Sequence, residues 1–340
     1  MERATIKDVA EAAGVSRAAV SKVLRNAYGL SDDMRARVEA AMAALNYRPQ
    51  TAARGLRGRT YTLGVVLPDM RNPFFPDIID GVISTLRSTS YEPLIGFRPS
   101  ADATEQHAID TLLDHKIDGF LMIAPRLEEA YLRSVATSVP TVMIGRHDRD
   151  SGYDTVNNDD RTGARLAVEH LIAFGHRDIA YFGLDIASVG PTNSTALRLE
   201  GYLATMAAHG LADHCSVFEG THFHGQHYDE EVARRILQSE RRPTAVFCWT
   251  DSVAITLMAE AAKLGIRVPE DLSVIGYDNT RLAALPQLSV TSVDQSGHLL
   301  GSEAMKLLIE RIEGRQTDQH FVLPPRLDVK GSTGPAPIPA

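Results

Sequence analysis

Residues 5–26 read TIKDVAEAAGVSRAAVSKVLRN and predict two short helices joined by a turn. Thr5 and Asp8 have the spacing of a capping box, in which each side chain accepts a hydrogen bond from a free backbone amide at a helix start. Gly14 can end the first helix in the left-handed conformation, and Ser16 can cap the second. Two helices joined by so short a turn predict a helix-turn-helix.

A third predicted helix completes a small hydrophobic core. Ser31 is its predicted cap, and apolar side chains follow at helical spacing at Met34, Val38, Met42 and Leu45. Neither of the two short helices could form such a core alone. On spacing alone, the three helices fit a DNA-binding head and a small bundle with a charged, solvated face equally well.

Charge divides the chain into two parts. The whole sequence has 35 Lys+Arg and 43 Asp+Glu, a net charge of −8, which argues against a general nucleic-acid binder. Residues 1–60 nevertheless contain 11 basic and 6 acidic residues, whereas the remainder contains 24 and 37. A small basic head therefore precedes a large acidic body, and each part requires its own explanation.

Composition limits the class of protein. With 340 residues, of which 44% are hydrophobic, the chain can bury a sizeable core in two or three domains. Cys215 and Cys248 lack metal-site spacing and fit a reducing compartment as core residues. The start of the sequence has no apolar stretch typical of a signal peptide, and no apolar run is long enough to span a membrane, so we expect a cytoplasmic protein.

A histidine-rich stretch, HFHGQH at residues 222–227, invites comparison with a metal site. Zinc requires three or four convergent ligands held by a scaffold, and these histidines have no neighbouring cysteine. We interpret them as loop or cleft residues, with His222 or His224 able to reach a ligand. The sequence predicts no metal and no cofactor.

The acidic body alternates short apolar runs with helical patterns. Examples are TLGVVLP at 62–68, DGFLMIAP at 118–125 and LSVIGYD at 272–278. This alternation predicts parallel sheets covered by helices on both faces, an α/β fold in which ligands bind at the carboxyl ends of the strands. The polar residues that follow strands are the candidates there: Asp69, Asn72, Arg146, Thr250, Asp251, Asp278 and Asn279.

These stretches together resemble the lac repressor/galactose repressor (LacI/GalR) family of bacterial transcription regulators. The resemblance runs almost from end to end of the chain. It is carried by residues 5–26, by VEAAMAALNYRPQTAARGLRGRT at 38–60, by LGVVLPDMRNPFF at 63–75, by GARLAVEHLIAFGHRDIAYFGL at 163–184 and by LGIRVPEDLSVIGYDN at 264–279.

The resemblance implies that the second helix is a recognition helix in the DNA major groove. Arg17 and Ala18 occupy the positions that usually read bases, and Lys22 and Arg25 are expected at phosphates. The remaining positions expected at the DNA are Thr5, Ser16, Ser21 and Asn26.

Residues 50–60 match the hinge helix of that family. Leu56 corresponds to the wedge that enters the minor groove, and Ala53 corresponds to the small residue at which two hinges approach each other. Gly55 departs from the family pattern and weakens this helix.

For the body, the resemblance implies the fold of periplasmic sugar-binding proteins, with two α/β subdomains and three crossings of the chain near Asp160, Ser292 and Pro324. The expected organisation is a DNA-binding head at 1–49, a hinge at 50–60, a first subdomain at 61–160 and 292–323, a second subdomain at 161–291 and 324–330, and a disordered tail at 331–340.

The effector cleft implied by the resemblance lies between those subdomains. Arg198 and Asp278 match the principal ligands from the second subdomain. Asp251 matches the Asp of an Asn-Asp pair, although Thr250 replaces the Asn. From the first subdomain come Asn72, Phe74, Phe75 and Arg146, and either Phe223 or Trp249 could cover the apolar face of a sugar ring. On the residues alone, Phe74 and Phe75 could be core, and Arg146 could pair with an acidic neighbour.

The sequence thus predicts a dimeric repressor of a carbohydrate-utilisation operon that binds a palindromic operator and responds to a small sugar or sugar derivative. One alternative is a regulator with a purine or protein corepressor, and a second is a sugar-binding transport receptor. An enzyme is not expected, because no motif of a catalytic nucleophile, phosphate loop or metal centre appears.

Overall fold

The computed structural model describes residues 4–24, 30–47, 59–97, 105–149, 152–185, 190–220 and 226–338. The chain forms two compact units, residues 1–60 and residues 61–340.

The first unit is the predicted three-helix head. Its helices are α1 (Ile6–Ala13), α2 (Arg17–Leu24) and α3 (Asp32–Ala44). The capping box is present, since the Thr5 amide donates to Asp8 Oδ2 at 2.7 Å and the Asp8 amide donates to Thr5 Oγ1 at 3.4 Å. Buried side chains from all three helices, including Val9, Val20 and Val38, meet in one core. Leu45 lies outside that core and is exposed.

The second unit alternates strands and helices. Its strands are β1 (Thr62–Leu67), β2 (Glu92–Phe97), β3 (Gly119–Ile123), β4 (Thr141–Ile144), β5 (Asp154–Asn158), β6 (Ile179–Leu184), β7 (Cys215–Gly220), β8 (Ala245–Cys248), β9 (Ser273–Asp278), β10 (Thr291–Asp294), β11 (His320–Leu323) and β12 (Arg326–Asp328). Its α-helices are α4 (Phe74–Leu86), α5 (Glu105–Asp114), α6 (Glu129–Ser138), α7 (Asp160–Ala173), α8 (Ser194–Ala208), α9 (Gln226–Leu237), α10 (Asp251–Lys263) and α11 (Gly297–Ile312).

The strands form two six-stranded sheets, each the centre of a lobe. Lobe 1 has the order β11-β5-β4-β3-β1-β2, with every pair parallel. Lobe 2 has the order β12-β10-β9-β8-β6-β7, and only β12 is antiparallel. Helices cover both faces of each sheet and bury its central apolar strands, which confirms the predicted α/β fold class.

The chain passes between the lobes three times. It crosses from β5 to α7 at residue 159, from β10 to α11 at residues 295–296, and from β11 to β12 at residues 324–325. The boundary expected at Ser292 is therefore three residues early. Ser292 belongs to β10, which pairs in register with β9 in lobe 2.

Helices α4 and α11 pack closely within lobe 1. A Cβ atom at Gly81 would lie 2.0 Å from the carbonyl oxygen of His298, and one at Gly301 would lie 2.0 Å from that of Ile78. Glycine is therefore required at both positions for the two helix backbones to touch. This contact fixes the start of α4, which carries two aromatic side chains of the site described below.

The expectation of a disordered tail from residue 331 is wrong for residues 331–338. Ser332 is buried, its carbonyl oxygen accepts from the amide of Val274, and its hydroxyl accepts from the amide of Thr291. His170 and His176 bond to Thr333 and Gly334. Glycine and proline suggested disorder, but these small residues fit beside β9 and β10, where their polar groups are paired. In the described residues, no helix has the length and apolar character needed to cross a membrane.

Candidate functional site

A cavity lies between the two lobes at the carboxyl ends of their strands. Its volume is about 70 Å³, which is much smaller than the several hundred Å³ typical of ligand pockets. Lobe 1 supplies a largely apolar wall that includes Phe74, Phe75 and Ile123. Lobe 2 supplies a polar wall that includes Arg198 and Asp278. The lobes must separate, or side chains must move, before a ligand the size of a sugar can enter.

Arg198 is the central cation of this cavity. It lies on α8, is 5% exposed, and its Nε donates to Asp160 Oδ1 at 2.8 Å. Its Nη1 donates to the carbonyl oxygen of Trp249 at 2.8 Å, and its Nη2 donates to Gln295 Oε1 at 3.0 Å. The guanidinium carbon also lies 3.7 Å from the ring centroid of Tyr277, within the range of a cation–π interaction.

Opposite charges keep this buried pair ionised. Burial by itself lowers the pKa of Arg198, but the attraction of Asp160 more than offsets it and the net pKa is raised. Burial by itself raises the pKa of Asp160, but Arg198 and His147 more than offset it and the net pKa is lowered. Removal of either partner would leave an uncompensated buried charge.

Asp278 ends β9 and faces the cavity from lobe 2. Its Oδ1 accepts from Gln295 Nε2 at 2.5 Å, and its Oδ2 accepts from Asn72 Nδ2 at 3.0 Å. Asn72 belongs to lobe 1, so the second of these hydrogen bonds joins the lobes directly. Burial raises the pKa of Asp278 to about 8, and the nearby carboxylate of Asp251 adds to the effect although Arg198 opposes it.

Gln295 connects the side chains of Arg198 and Asp278, and it was not predicted from the sequence. Its amide oxygen accepts from Arg198 while its amide nitrogen donates to Asp278. Its carbonyl oxygen accepts from Asn158 Nδ2 at 2.9 Å. Gln295 lies in the crossing between β10 and α11. A sequence prediction that placed this crossing at residues 295–296 would have identified Gln295 as a residue between the lobes.

Arg146 lies elsewhere than the predicted cleft. It is 5% exposed, and its Nε and Nη2 donate to the two carboxylate oxygens of Asp148 at 2.8 and 3.1 Å. Arg146 is not part of the cavity wall. A carboxylate two residues along the same loop satisfies this guanidinium locally, so it has no reason to extend toward the other lobe.

Asp251 is likewise engaged within its own lobe. It is fully buried at the start of α10, and its carboxylate accepts from the amide and hydroxyl of Thr280 and from the hydroxyl of Ser292. Burial raises its pKa to about 6. Thr250, which caps α10 with its side chain, lines the cavity instead.

The aromatic predictions divide into two groups. Phe74, Phe75 and Trp249 all line the cavity, the two phenylalanines from lobe 1 and the tryptophan from lobe 2. Phe223, together with His222 and His224, lies outside the described residues. Within the part of the chain that the structure describes, no group of three His, Cys, Asp or Glu side chains could hold a metal ion.

The head presents an exposed polar surface on α2. Arg17, Ala18 and Lys22 are exposed and Ser21 is partly buried, while Val20 and Val23 face the core. The hydroxyls of Thr5 and Ser16 take part in helix capping. The other residues predicted at the DNA, which are Arg25, Asn26, Ala53 and Leu56, lie outside the described residues.

Comparison with protein families matches both units. Residues 5–50 match the model for bacterial regulatory proteins of the lacI family, and residues 168–333 match the model for a periplasmic binding protein-like domain. The chain is 31% identical over 335 residues to catabolite control protein A of Priestia megaterium, with 97% of this chain and 99% of the relative covered. It is 32% identical over 337 residues to the ribose operon repressor of Escherichia coli (strain K12), with 97% and 99% covered.

Solved structures of similar proteins share the fold over most of the chain. One is the lac repressor dimer bound to operator and the anti-inducer ONPF, with a TM-score of 0.81, 26% identity, and 98% of this chain and 100% of that chain covered. Another is a LacI family transcriptional regulator from Enterococcus faecium with bound ribose, with a TM-score of 0.70, 25% identity, and 81% and 99% covered.

Proposed function

Because the chain belongs to the LacI family of bacterial transcription regulators, we propose that it represses a carbohydrate-utilisation operon and responds to a sugar or sugar derivative bound between its lobes. In this proposal two protomers bind a palindromic operator, with α2 of each head in a major groove. The effector changes the arrangement of the lobes and thereby the affinity for DNA.

The observation that carries the sugar proposal is the position of Gln295 between Arg198 and Asp278. Its amide accepts a hydrogen bond from the guanidinium and donates one to the carboxylate. A sugar hydroxyl can do both as well, because it has one donor and two acceptor positions. A hydroxyl that displaced this amide would keep the charge-assisted hydrogen bond from Arg198, which is stronger than a neutral one, and a second hydrogen bond to Asp278.

The remaining walls of the cavity suit a sugar ring. Phe74, Phe75 and Trp249 supply apolar surface for the C–H faces of a ring. Asn72 bonds to Asp278 across the lobes, so a ligand that bonds to Asp278 competes with a contact that holds the lobes together. Effector binding and lobe movement are thereby coupled in the proposed mechanism.

The activity proposed here is regulation and not catalysis, and we place the protein in the cytoplasm, where operator DNA is found. Both relatives compared above are named as a control protein and a repressor. The cavity supports a binding role. Its two charged groups are each hydrogen-bonded to a neighbouring side chain, Arg198 to Asp160 and Asp278 to Gln295, in an arrangement that suits the binding of hydroxyls.

DNA binding is tested first, with operator fragments selected from genomic DNA. Arg17→Ala should cost on the order of 1–3 kcal/mol per bidentate base contact and relax the preference at one symmetric pair of positions. Arg37→Ala on α3 removes an exposed arginine that pairs with Asp33 and serves as the control. Unchanged base preference in the Arg17→Ala protein would show that the register of the recognition helix is wrong.

Effector binding is tested by calorimetric titration with pentoses, hexoses, disaccharides, sugar acids and purines. We expect a neutral sugar to bind the wild type and to change its operator affinity in a gel shift. Binding of a purine with no response to any sugar would replace the proposed effector class and leave the regulator assignment intact.

A further inference from the structure

A second cavity lies beside the first and is larger. Its volume is about 550 Å³, within the range of small-molecule sites. It lies at the junction of the lobes, where it is lined by the loop after β4, by β11 of lobe 1, and by the starts of α7 and α8 of lobe 2. Asn157 lines both cavities, so the two are neighbours.

Basic side chains dominate the charge of this second cavity. It is lined by Arg149, Arg161, His147 and His320. Arg149 is exposed and has no hydrogen-bond or ion-pair partner among the described residues. The surface ion pair of Arg161 with Glu200 on α8 is about half exposed on both sides, and such a pair is readily exchanged for another anion.

The acidic side chain that lines this cavity is already neutralised. Asp148 accepts two hydrogen bonds from Arg146 and one from the hydroxyl of Tyr153. Helix α8 also begins beside this cavity, and the positive end of its dipole favours an anion there. The hydroxyls of Thr155 and Thr192, which also line the cavity, are bonded to His320 and to Asp148.

A single buried carboxylate connects the two cavities. Asp160 has no exposed side-chain surface, and its Oδ2 lies 2.9 Å from His147 Nε2 at the second cavity. Its Oδ1 lies 2.8 Å from Arg198 Nε at the first. Any movement of His147 therefore alters how strongly Asp160 holds Arg198.

We propose that the second cavity binds a phosphoryl group, from inorganic phosphate or a small phosphorylated metabolite, and that Asp160 transmits this binding to the effector cavity. A bound anion draws His147, and with it the hydrogen-bonded carboxylate of Asp160, away from Arg198. Arg198 is then freer to donate to a ligand hydroxyl. The second half of this proposal rests on the sugar-binding function proposed above, whereas phosphoryl binding does not.

Binding is measured by calorimetric titration of the full chain with inorganic phosphate and with ribose 5-phosphate, in a chloride buffer free of other oxyanions. We expect at least one of the two to saturate with a dissociation constant below about 1 mM. Arg149→Ala and Arg161→Ala should each weaken it about tenfold. Arg165→Ala is the matched control, since it removes another exposed arginine of α7 with a Glu partner, outside the cavity.

The two probes identify the source of the phosphoryl group. Tighter binding of ribose 5-phosphate indicates a phosphorylated metabolite, and equal binding indicates phosphate itself. The second site is overturned if neither probe saturates the protein. It is also overturned if Arg149→Ala and Arg161→Ala both bind the probe with the affinity of the wild type. Plain ribose is titrated in parallel. If ribose competes with ribose 5-phosphate, both bind in the first cavity, and the proposal of a second site is overturned.

The connection through Asp160 has its own reporter. Trp249 is the single tryptophan of the chain, lines the first cavity and accepts a hydrogen bond from Arg198. Phosphate binding should shift its fluorescence without any sugar present. His147→Ala removes the hydrogen bond that joins the second cavity to Asp160, so it should remove the fluorescence shift while the binding that depends on Arg149 and Arg161 remains. A wild-type protein that binds phosphate with no change in fluorescence would overturn the connection and leave the sugar-binding proposal untouched.

Discussion

The two lobes contain the same pair of residues, a buried arginine with a buried aspartate, and use it in different ways. In lobe 1, Arg146 and Asp148 lie two residues apart in one loop and satisfy each other away from the cavity. In lobe 2, Arg198 and Asp160 lie 38 residues apart on different helices, and the guanidinium retains donors that reach the cavity. The difference teaches that the position of the partner decides whether a buried arginine supports a loop or a ligand site.

The largest expected effect comes from removal of either arginine. Arg146→Met and Arg198→Met should each lower the free energy of unfolding by roughly 3–5 kcal/mol, because each leaves a buried carboxylate without its guanidinium partner. Only Arg198→Met should also abolish effector binding. Urea denaturation and calorimetry measure the two quantities. The comparison fails if Arg146→Met reduces effector affinity as strongly as Arg198→Met does, once both proteins are shown to be folded.

Asp278→Asn tests the acceptor side of the cavity. Above the raised pKa of Asp278, loss of its charge leaves effector hydroxyls with a weaker acceptor, at a cost on the order of 1–3 kcal/mol for each group. Effector affinity should therefore fall about ten- to a hundredfold.

Asp148→Asn in lobe 1 is the matched control. It should destabilise the fold, because Asp148 accepts from Arg146, but it should leave effector affinity within about twofold of the wild type. Equal losses of affinity in the two variants would remove the distinction between the lobes.

The two carboxylates should respond to pH with opposite signs. The pKa of Asp278 is raised, so this carboxyl keeps its proton in the folded state between about pH 4 and about 8. The contribution of Asp278 to the free energy of unfolding therefore falls as pH rises through that window. Burial by itself raises the pKa of Asp148, but hydrogen bonds from Arg146 and other neighbours leave it lowered. Its contribution is therefore present above the ordinary pKa and lost as pH falls through the lowered one.

Effector binding provides the readout of this difference. If effector hydroxyls donate to ionised Asp278, affinity should rise by up to about tenfold per pH unit below its pKa and then level off. Titrations between pH 6 and pH 9 measure the slope, and Asp278→Asn should flatten it. A slope that persists in this variant would assign the titration to another group.

The smallest expected effect concerns the hydrogen bond between the lobes. Asn72→Ala removes the donor to Asp278 and should lower the free energy of unfolding by about 1 kcal/mol. It should also shift the emission of Trp249 in the ligand-free protein, because the lobes can separate more readily. An Asn72→Ala protein with unchanged emission would show that this contact does not hold the lobes together.

The sequence was sufficient for the fold because its signals were local and repeated. Capping residues and apolar runs predicted three short helices and parallel sheets, whereas the division into two lobes came from the family resemblance. The resemblance of the sequence to a known family was also sufficient to identify Arg198 and Asp278 as candidate ligand-binding residues. Their geometry then depends on Asp160 and Gln295, each of which lies at a crossing between lobes and is brought into place only by the folded chain.

Some candidate residues have partners within their own lobe. Arg146 follows a strand as a ligand-binding residue would, and the pairing with an acidic neighbour that the sequence left open is present with Asp148. Asp251 matched a family position, but Thr280 and Ser292 occupy its oxygens. The Pro- and Gly-rich segment from residue 331 looked disordered, yet it pairs with β9 and β10. Composition does not record such pairings, because they join residues that are distant in the chain.

The central claim, that the cavity between the lobes controls the head, is tested most directly by fluorescence anisotropy of a labelled operator fragment during titration with the effector. The wild type should change its operator affinity by at least about fivefold. Asp278→Asn should bind the operator as the wild type does without effector, and should show no change at effector concentrations that saturate the wild type. An Asp278→Asn protein that responds at the same effector concentration as the wild type would contradict the account.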